Sequence, residues 1–328
     1  MRCPRCNQEN PENGQFCTGC GLPLTPETYD QAQLQQEIKS SRVLKFVVSV
    51  IRAVFHVALF LGVQSAVIGL YGGYLAASYS IGLGYGQDSY DIYDKVMTEV
   101  YSNISLLMLI SGVLTILVLA LFFAMWHKNL LTECRLCAVT PKALLLCALM
   151  GTALNIVVSV TISMLPLPEA WFEGLDSQYA YLGEGNIFLE LLSTAVVTGL
   201  LEEMIFRGLA ETRLRRGMPK GLAVVVSALI FGLCHGTPIA IGYAFFLGIL
   251  FSLLDRRYDS ILPSVVAHMF FNACALWFVT EDTLLILAAY LICLGVFIGG
   301  LYLYFRRKPE TTEEAETMPV STDETVEK

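Results

Sequence analysis

Long apolar runs separated by short polar connections fill the chain from about Val43 to Phe305. Eight runs stand out, roughly 45–77, 103–126, 142–165, 187–212, 220–237, 239–254, 260–279 and 283–305. A helix of about 20 apolar residues spans a hydrocarbon core about 30 Å thick. In lipid every backbone polar group must find an internal partner, so each run predicts an α-helix. The first run is too long for one span and predicts an interfacial start carrying Lys45 and Arg52. Only Gly236-Thr237-Pro238 separates the fifth run from the sixth, a helix-breaking turn that makes both short or tilted. No internal repeat is visible. The fold class this pattern predicts is all-α: a polytopic membrane protein of about eight helices.

Charge fixes the expected orientation. One set of connections is basic: Lys39, Arg42 and Lys45; Lys128, Arg135 and Lys142; Arg213, Arg215, Arg216 and Lys220; Arg256 and Arg257; Arg306, Arg307 and Lys308. The alternate set carries Asp88, Asp91, Asp94 and Glu99 against a single Lys95, then Glu169, Glu173, Asp176 and Glu184, then Glu281 and Asp282. The positive-inside rule puts the basic set, and with it both termini, in the cytoplasm, which requires an even number of spans. Composition agrees with lipid as the solvent: 55% of the 328 residues are hydrophobic and 15% charged. The net charge of -8 resides in outer connections and in the tail after Arg307, so no nucleic-acid partner is indicated. Polar sequence occupies the first forty or so residues, which argues against a cleaved signal peptide. The expected organisation is a cysteine module at 1–24, a polar Gln-rich linker at 25–42, partly helical and exposed, a membrane domain at 43–306 and an acidic disordered tail at 307–328.

Ten cysteines divide into three kinds. Cys3-x-x-Cys6 and Cys17-x-x-Cys20 are two knuckles whose four thiolates suit one closed tetrahedral Zn²⁺ site. So short a module has no hydrophobic core, so metal would supply most of its folding free energy. A reducing cytoplasm argues against two disulfides there. The module is similar to the zinc ribbons found at bacterial protein N-termini, which implies a structural metal and a docking role toward a cytoplasmic partner. Cys134 and Cys137 supply only two ligands and read as reduced loop thiols. Cys147, Cys234, Cys274 and Cys293 lie in apolar runs and read as small buried residues.

Charged groups inside a span cost about 2.5–3.5 kcal/mol each on insertion scales. The fourth run nevertheless holds Glu202, Glu203 and Arg207, the fifth His235, and the seventh His268 and Asn272. Glu203 and Arg207, four apart, stack on one helix face as an ion pair. Glu202 points about 100° away. His268 and Asn272, also four apart, face one spot. A rise of about 1.5 Å per residue from the basic ends puts Glu202 about 16 Å, His235 about 21 Å and His268 about 12 Å deep. These groups suit hydrolysis by activated water, which needs a base for the proton and donors for the oxyanion. The bland alternative is polar glue between helices. Glue accounts for Glu203 with Arg207 better than for the other four.

The same residues carry a family resemblance. Glu202-Glu203-Met204-Ile205-Phe206-Arg207, Phe231-Gly232-Leu233-Cys234-His235 and His268-Met269-Phe270-Phe271-Asn272 resemble the Glu-Glu-x-x-x-Arg, Phe-x-x-x-His and His-x-x-x-Asn motifs of the CPBP family. That family comprises the type II CAAX prenyl proteases and the bacteriocin-processing, or Abi, membrane proteases. The resemblance covers about 185–280 and departs from none of the three motifs. It implies a bacterial cell-membrane endopeptidase acting on membrane-associated proteins or peptides. Glu202 and His235 would activate water, His268 and Asn272 would hold the oxyanion, and Glu203 and Arg207 would support them, with no catalytic metal expected. Two other readings compete: a non-catalytic scaffold or bacteriocin-immunity protein of the same fold, and a transporter, which the missing repeat disfavours.

Overall fold

A computed structural model describes residues 1–3, 7–12, 14, 17–19, 24, 31–82, 89–180, 185–275 and 282–306. Cys6, Cys20 and the tail 307–328 lie outside them. Eleven helices are described: α1 (Gln31–Gly82), α2 (Ser89–Ser102), α3 (Ile104–Met125), α4 (Leu130–Glu133), α5 (Pro141–Met164), α6 (Glu169–Tyr179), α7 (187–214), α8 (Lys220–Leu233), α9 (Pro238–Tyr258), α10 (Leu262–Ala275) and α11 (Thr283–Arg306). The ends follow local chemistry. Asn186 caps α7 by accepting from the amides of Phe188 and Leu189, and Asp282 caps α11 in the same way. Pro141 and Pro238 open α5 and α9 in the first turn, where a missing N–H costs nothing. Asp259 closes α9 in the left-handed region, at φ 48°.

Each of the eight apolar runs contains a helix within the described residues, but they are not eight equal spans. Among the described residues, five stretches are long and apolar enough to cross a membrane: Ser41–Ile81, Ile104–Met125, Pro141–Met164, Pro238–Tyr258 and Thr283–Arg306. α8 and α10 have 14 residues each, about 21 Å of rise against a core of about 30 Å. α7 is long but broken in pattern by its ionisable residues. The three runs that fall short as plain spans are the three that carry the polar cluster. α1 runs unbroken from the linker into the first span for 52 residues, without a separate interfacial helix. The acidic connections contain α2 and α6, two short helices that the apolar pattern does not predict.

Two large apolar cores form among the described residues, beside a smaller one around Leu75, Val100 and Leu107. The first joins α1, α3, α7 and α8 through residues such as Phe60, Leu119, Leu209 and Phe231. The second joins α5, α9, α10 and α11 through Cys147, Phe251, Phe271 and Tyr304. Small residues let the helices touch. A Cβ on Gly151 of α5 would lie 2.1 Å from the Ala267 carbonyl oxygen on α10, and one on Gly248 of α9 would lie 2.8 Å from the Ala228 Cβ on α8. Gly151→Ala is therefore expected to push α10 away and to cost about 1–3 kcal/mol of stability. Because His268 follows Ala267, its ring should move with α10 as well.

The connection between α3 and α5 is docked on α7. Cys134 is buried, and a Cβ on Gly208 would meet its Cβ at 2.9 Å. Burial pushes the Cys134 thiol up to about 12, whereas Cys137 is exposed. Maleimide labelling of the intact protein at pH 7.5, read by peptide mass spectrometry, should therefore modify Cys137 and spare Cys134. Burial opposes ionisation of Glu133, but its bonds to Lys128 and Arg213 outweigh this and hold its carboxyl below the ordinary value. The stability this bridge contributes is present above the ordinary carboxylate range and is lost as pH falls.

Candidate active site

α7 positions most of the site. It is continuous, but two stretches, Leu191–Val197 and Met204–Glu211, are wound as π-helix and bracket the Glu202–Glu203 pair. Such turns cannot satisfy every carbonyl as an α-helix does, and they concentrate at functional sites. Side chains serve the carbonyls here. Thr198 Oγ1 donates to the Ser193 carbonyl at 2.9 Å and Ser227 Oγ of α8 to that of Phe206 at 2.9 Å. Arg135 Nη2 donates to that of Arg207 at 3.2 Å. Asn272 Nδ2 donates to the Thr194 carbonyl at 3.0 Å, tying α10 to the first π segment.

Glu203 is wholly buried, and its Oε1 accepts twice. Arg207 Nη1 donates at 2.8 Å, the ion pair expected from the spacing, and His268 Nδ1 lies at 2.8 Å from the same oxygen. On the far side of the ring, His268 Nε2 is 3.7 Å from Glu202 Oε2. The imidazole of α10 therefore stands between two consecutive glutamates of α7. Glu203 is sealed and Glu202 retains 15% of its side-chain exposure. Since a carboxylate only accepts, Nδ1 carries the proton given to Glu203 and Nε2 is aimed at Glu202.

Aromatic rings fix both charged partners. The Arg207 guanidinium lies over Phe231, 4.2 Å from the ring centroid, and 5.4 Å from that of Phe251. Phe251 also faces the His268 ring at 5.1 Å. Phe231 is the common neighbour of the cluster, with His235 at 4.7 Å and His268 at 6.1 Å between centroids. His235 departs from expectation: it is not on a helix face, because α8 ends at Leu233. Gly236, at φ 81°, and Pro238 at the start of α9 force the turn. In that turn His235 Nδ1 donates to the Phe231 carbonyl at 2.8 Å, which leaves Nε2 as the acceptor of the neutral ring.

Glu202, Glu203, Arg207 and His268 thus converge through close contacts of their side chains, and Phe231 joins His235 to them. Asn272 is engaged differently, with one of its two N–H groups on Thr194. Three groups escape a reading of the sequence. Phe251 is one apolar residue in an apolar run. Glu211 is fully buried, accepting from Ser252 Oγ and pairing with Arg215. Asp255 is fully buried beside Ser264 and within electrostatic reach of Glu203 and Arg207. Its neighbours Arg256 and Arg257 make it look like part of a solvated helix end.

Among the described residues no three His, Cys, Asp or Glu side chains converge as metal ligands. His268 Nδ1 is taken by Glu203, and its Nε2 faces Glu202 at 3.7 Å. In the amino-terminal module Cys3 and Cys17 are buried, and Cys17 Sγ lies 3.4 Å from the Gly19 amide and 3.5 Å from Asn10 Nδ2. Amide-to-sulfur contacts of this kind suit a metal-bound thiolate.

The helical fold and the buried carboxylate–imidazole site together define a multi-pass membrane protein with a chemically equipped interior. Residues 184–274 match the sequence profile of the family described as type II CAAX prenyl endopeptidase, Rce1-like, and this segment is similar to that family. The match spans α7 to α10 and includes every motif residue named above. No curated protein and no solved structure matches the chain.

Proposed function

We propose that the chain is an intramembrane endopeptidase that hydrolyses peptide bonds of membrane-associated proteins or peptides with water activated by Glu202. The observation that carries this reading is the His268 ring held between Glu203 and Glu202 inside the family segment. Glu202 is the more exposed carboxylate of the two and the one able to meet water. It takes a proton from a water molecule that His235 Nε2 holds as acceptor, and the water oxygen attacks the scissile carbonyl carbon. The oxyanion that forms accepts from the second Asn272 N–H, and from His268 Nε2 when that ring carries both protons. Collapse breaks the C–N bond, and the proton on Glu202 passes to the departing amine. Glu203 and Arg207 orient His268 and take no part in the proton traffic. The gap of 3.7 Å between His268 and Glu202 exceeds a direct hydrogen bond and suits a bridging water. The test uses native membranes and membrane-anchored peptides, with wild type and Glu202→Ala at matched insertion. Cleavage products from wild type alone support the reading, and equal cleavage by both sinks it.

The basic end of the bundle, with both termini, is assigned to the cytoplasm on the loop charges. Cys3, Cys6, Cys17 and Cys20 are assigned one structural Zn²⁺, which would fold the module and present it to a cytoplasmic partner. Elemental analysis of the full chain should find one zinc per molecule, and none in Cys17→Ser. Chelation should remove it while leaving the hydrolysis rate within about twofold, because a closed structural site takes no part in the chemistry.

A further inference from the structure

The end of the bundle where α1 enters the membrane and α7 leaves it holds a concave groove of about 260 Å³ that the chemistry above does not use. Lys45, Val48 and Arg52 line it from α1, and Arg213 and Arg216 line it from the end of α7 and the turn that follows. The α1 residues recur at spacings of three and four and so form one stripe. The opposite wall is held close. A Cβ on Gly217 would lie 2.1 Å from Ser49 Oγ and 2.8 Å from the Lys45 carbonyl oxygen, so the backbone after Arg216 rests directly on α1.

No Asp or Glu is among the lining residues. Arg213 is committed to Glu133, which also receives Lys128. The side chains of Lys45, Arg52 and Arg216 make no hydrogen bond or ion pair among the described residues. Three cations are therefore held together without a counter-charge, an arrangement that an anion stabilises. The mouth adjoins apolar surface. Leu44, Val47, Ile51 and Val54 are all exposed along α1. A headgroup alone would not use that surface, whereas a headgroup carrying acyl chains covers it.

We propose that this groove binds the phosphate of an anionic phospholipid, with Arg52, Arg216 and Lys45 as donors and the acyl chains lying along α1. Arginine presents paired donors that match two phosphate oxygens, and basic clusters at the cytoplasmic end of spans attract anionic headgroups.

The test uses the purified full-length protein in non-ionic detergent. Retained lipid is counted by native mass spectrometry during titration with phosphatidylglycerol, phosphatidylcholine or inorganic phosphate. The expected result is retention of phosphatidylglycerol over phosphatidylcholine, weakened about thirtyfold in Arg52→Gln/Arg216→Gln, on the basis of about fivefold per basic residue. Lys142→Gln/Arg306→Gln removes the same charge from other basic positions and should weaken it less than threefold. Arg52→Lys/Arg216→Lys keeps the charge and should stay within about fivefold of wild type, which separates lost binding from lost folding. Equal losses in the two Gln double variants would reduce the groove to diffuse surface charge and overturn the proposal. So would equal retention of phosphatidylcholine. Displacement of phosphatidylglycerol by millimolar inorganic phosphate would make this a free-anion site instead, and would overturn the lipid assignment.

Discussion

Glu202→Gln is expected to slow peptide hydrolysis by about 10²–10⁴-fold, the range that one positioned general base contributes. Membrane insertion and thermal stability should stay near wild type. Gln has the shape of Glu and hydrogen-bonds at the same place, but it does not take a proton from water. Glu202 makes no ion pair with a permanently charged group, so its loss strands no buried cation. Its contact with His268, at 3.7 Å, is too long to hold α7 and α10 together. The loss should fall on kcat more than on KM, because the proton moves only in the transition state. Single-turnover cleavage of a reconstituted peptide, with unfolding followed in parallel, separates the two quantities. A variant that unfolds early while retaining its rate would reverse the assignment.

Arg207→Met should behave in the opposite way. Its guanidinium is 1% exposed and neutralises a fully buried carboxylate. Removing one partner of a buried pair typically costs about 3–5 kcal/mol, because the remaining charge loses its compensation. Replacing both partners by apolar residues avoids that penalty, so Glu203→Met/Arg207→Met should recover most of the stability lost in the single variant. Activity should not return with it. Without Glu203 the His268 Nδ1 has no acceptor, and the ring loses the bond that aims Nε2 at Glu202. Chemical denaturation of the three variants in one detergent gives the stabilities, and the cleavage assay gives the rates. Stability that follows activity through the double variant would refute the division between support and chemistry.

Spacing alone exposed the Glu203–Arg207 pair, because four residues is one turn and the two types attract. Apolar run length located eight of the eleven described helices, and Gly236 with Pro238 announced the turn. Other features depend on tertiary contact. Nothing in the order of residues says that His268 will choose Glu203, since both Glu202 and Glu203 offer a carboxylate one helix away. The choice follows from which face of α7 meets α10, and the π segments on either side of the pair set that face. Single-residue changes of winding leave no signature in an apolar run. Phe231 and Phe251 show a related difficulty. Both read as core, and both are core, yet their rings also lie within reach of the Arg207 guanidinium. The apolar run continues past Leu233 and predicts a helix at His235, although the backbone turns there.

The two π segments of α7 carry a consequence for how this helix changes over generations. In an ordinary α-helix, gaining or losing one residue rotates everything beyond it by about 100°. A π turn is the form in which one additional residue is accommodated without that rotation being passed on. α7 therefore has two places where its length has slack, one on each side of Glu202 and Glu203. Shortening either segment by one residue would return that turn to α winding and leave the carboxylates facing as before. The glutamate pair rides on a short, independently clocked section, and the two ends of α7 are free to answer to different neighbours.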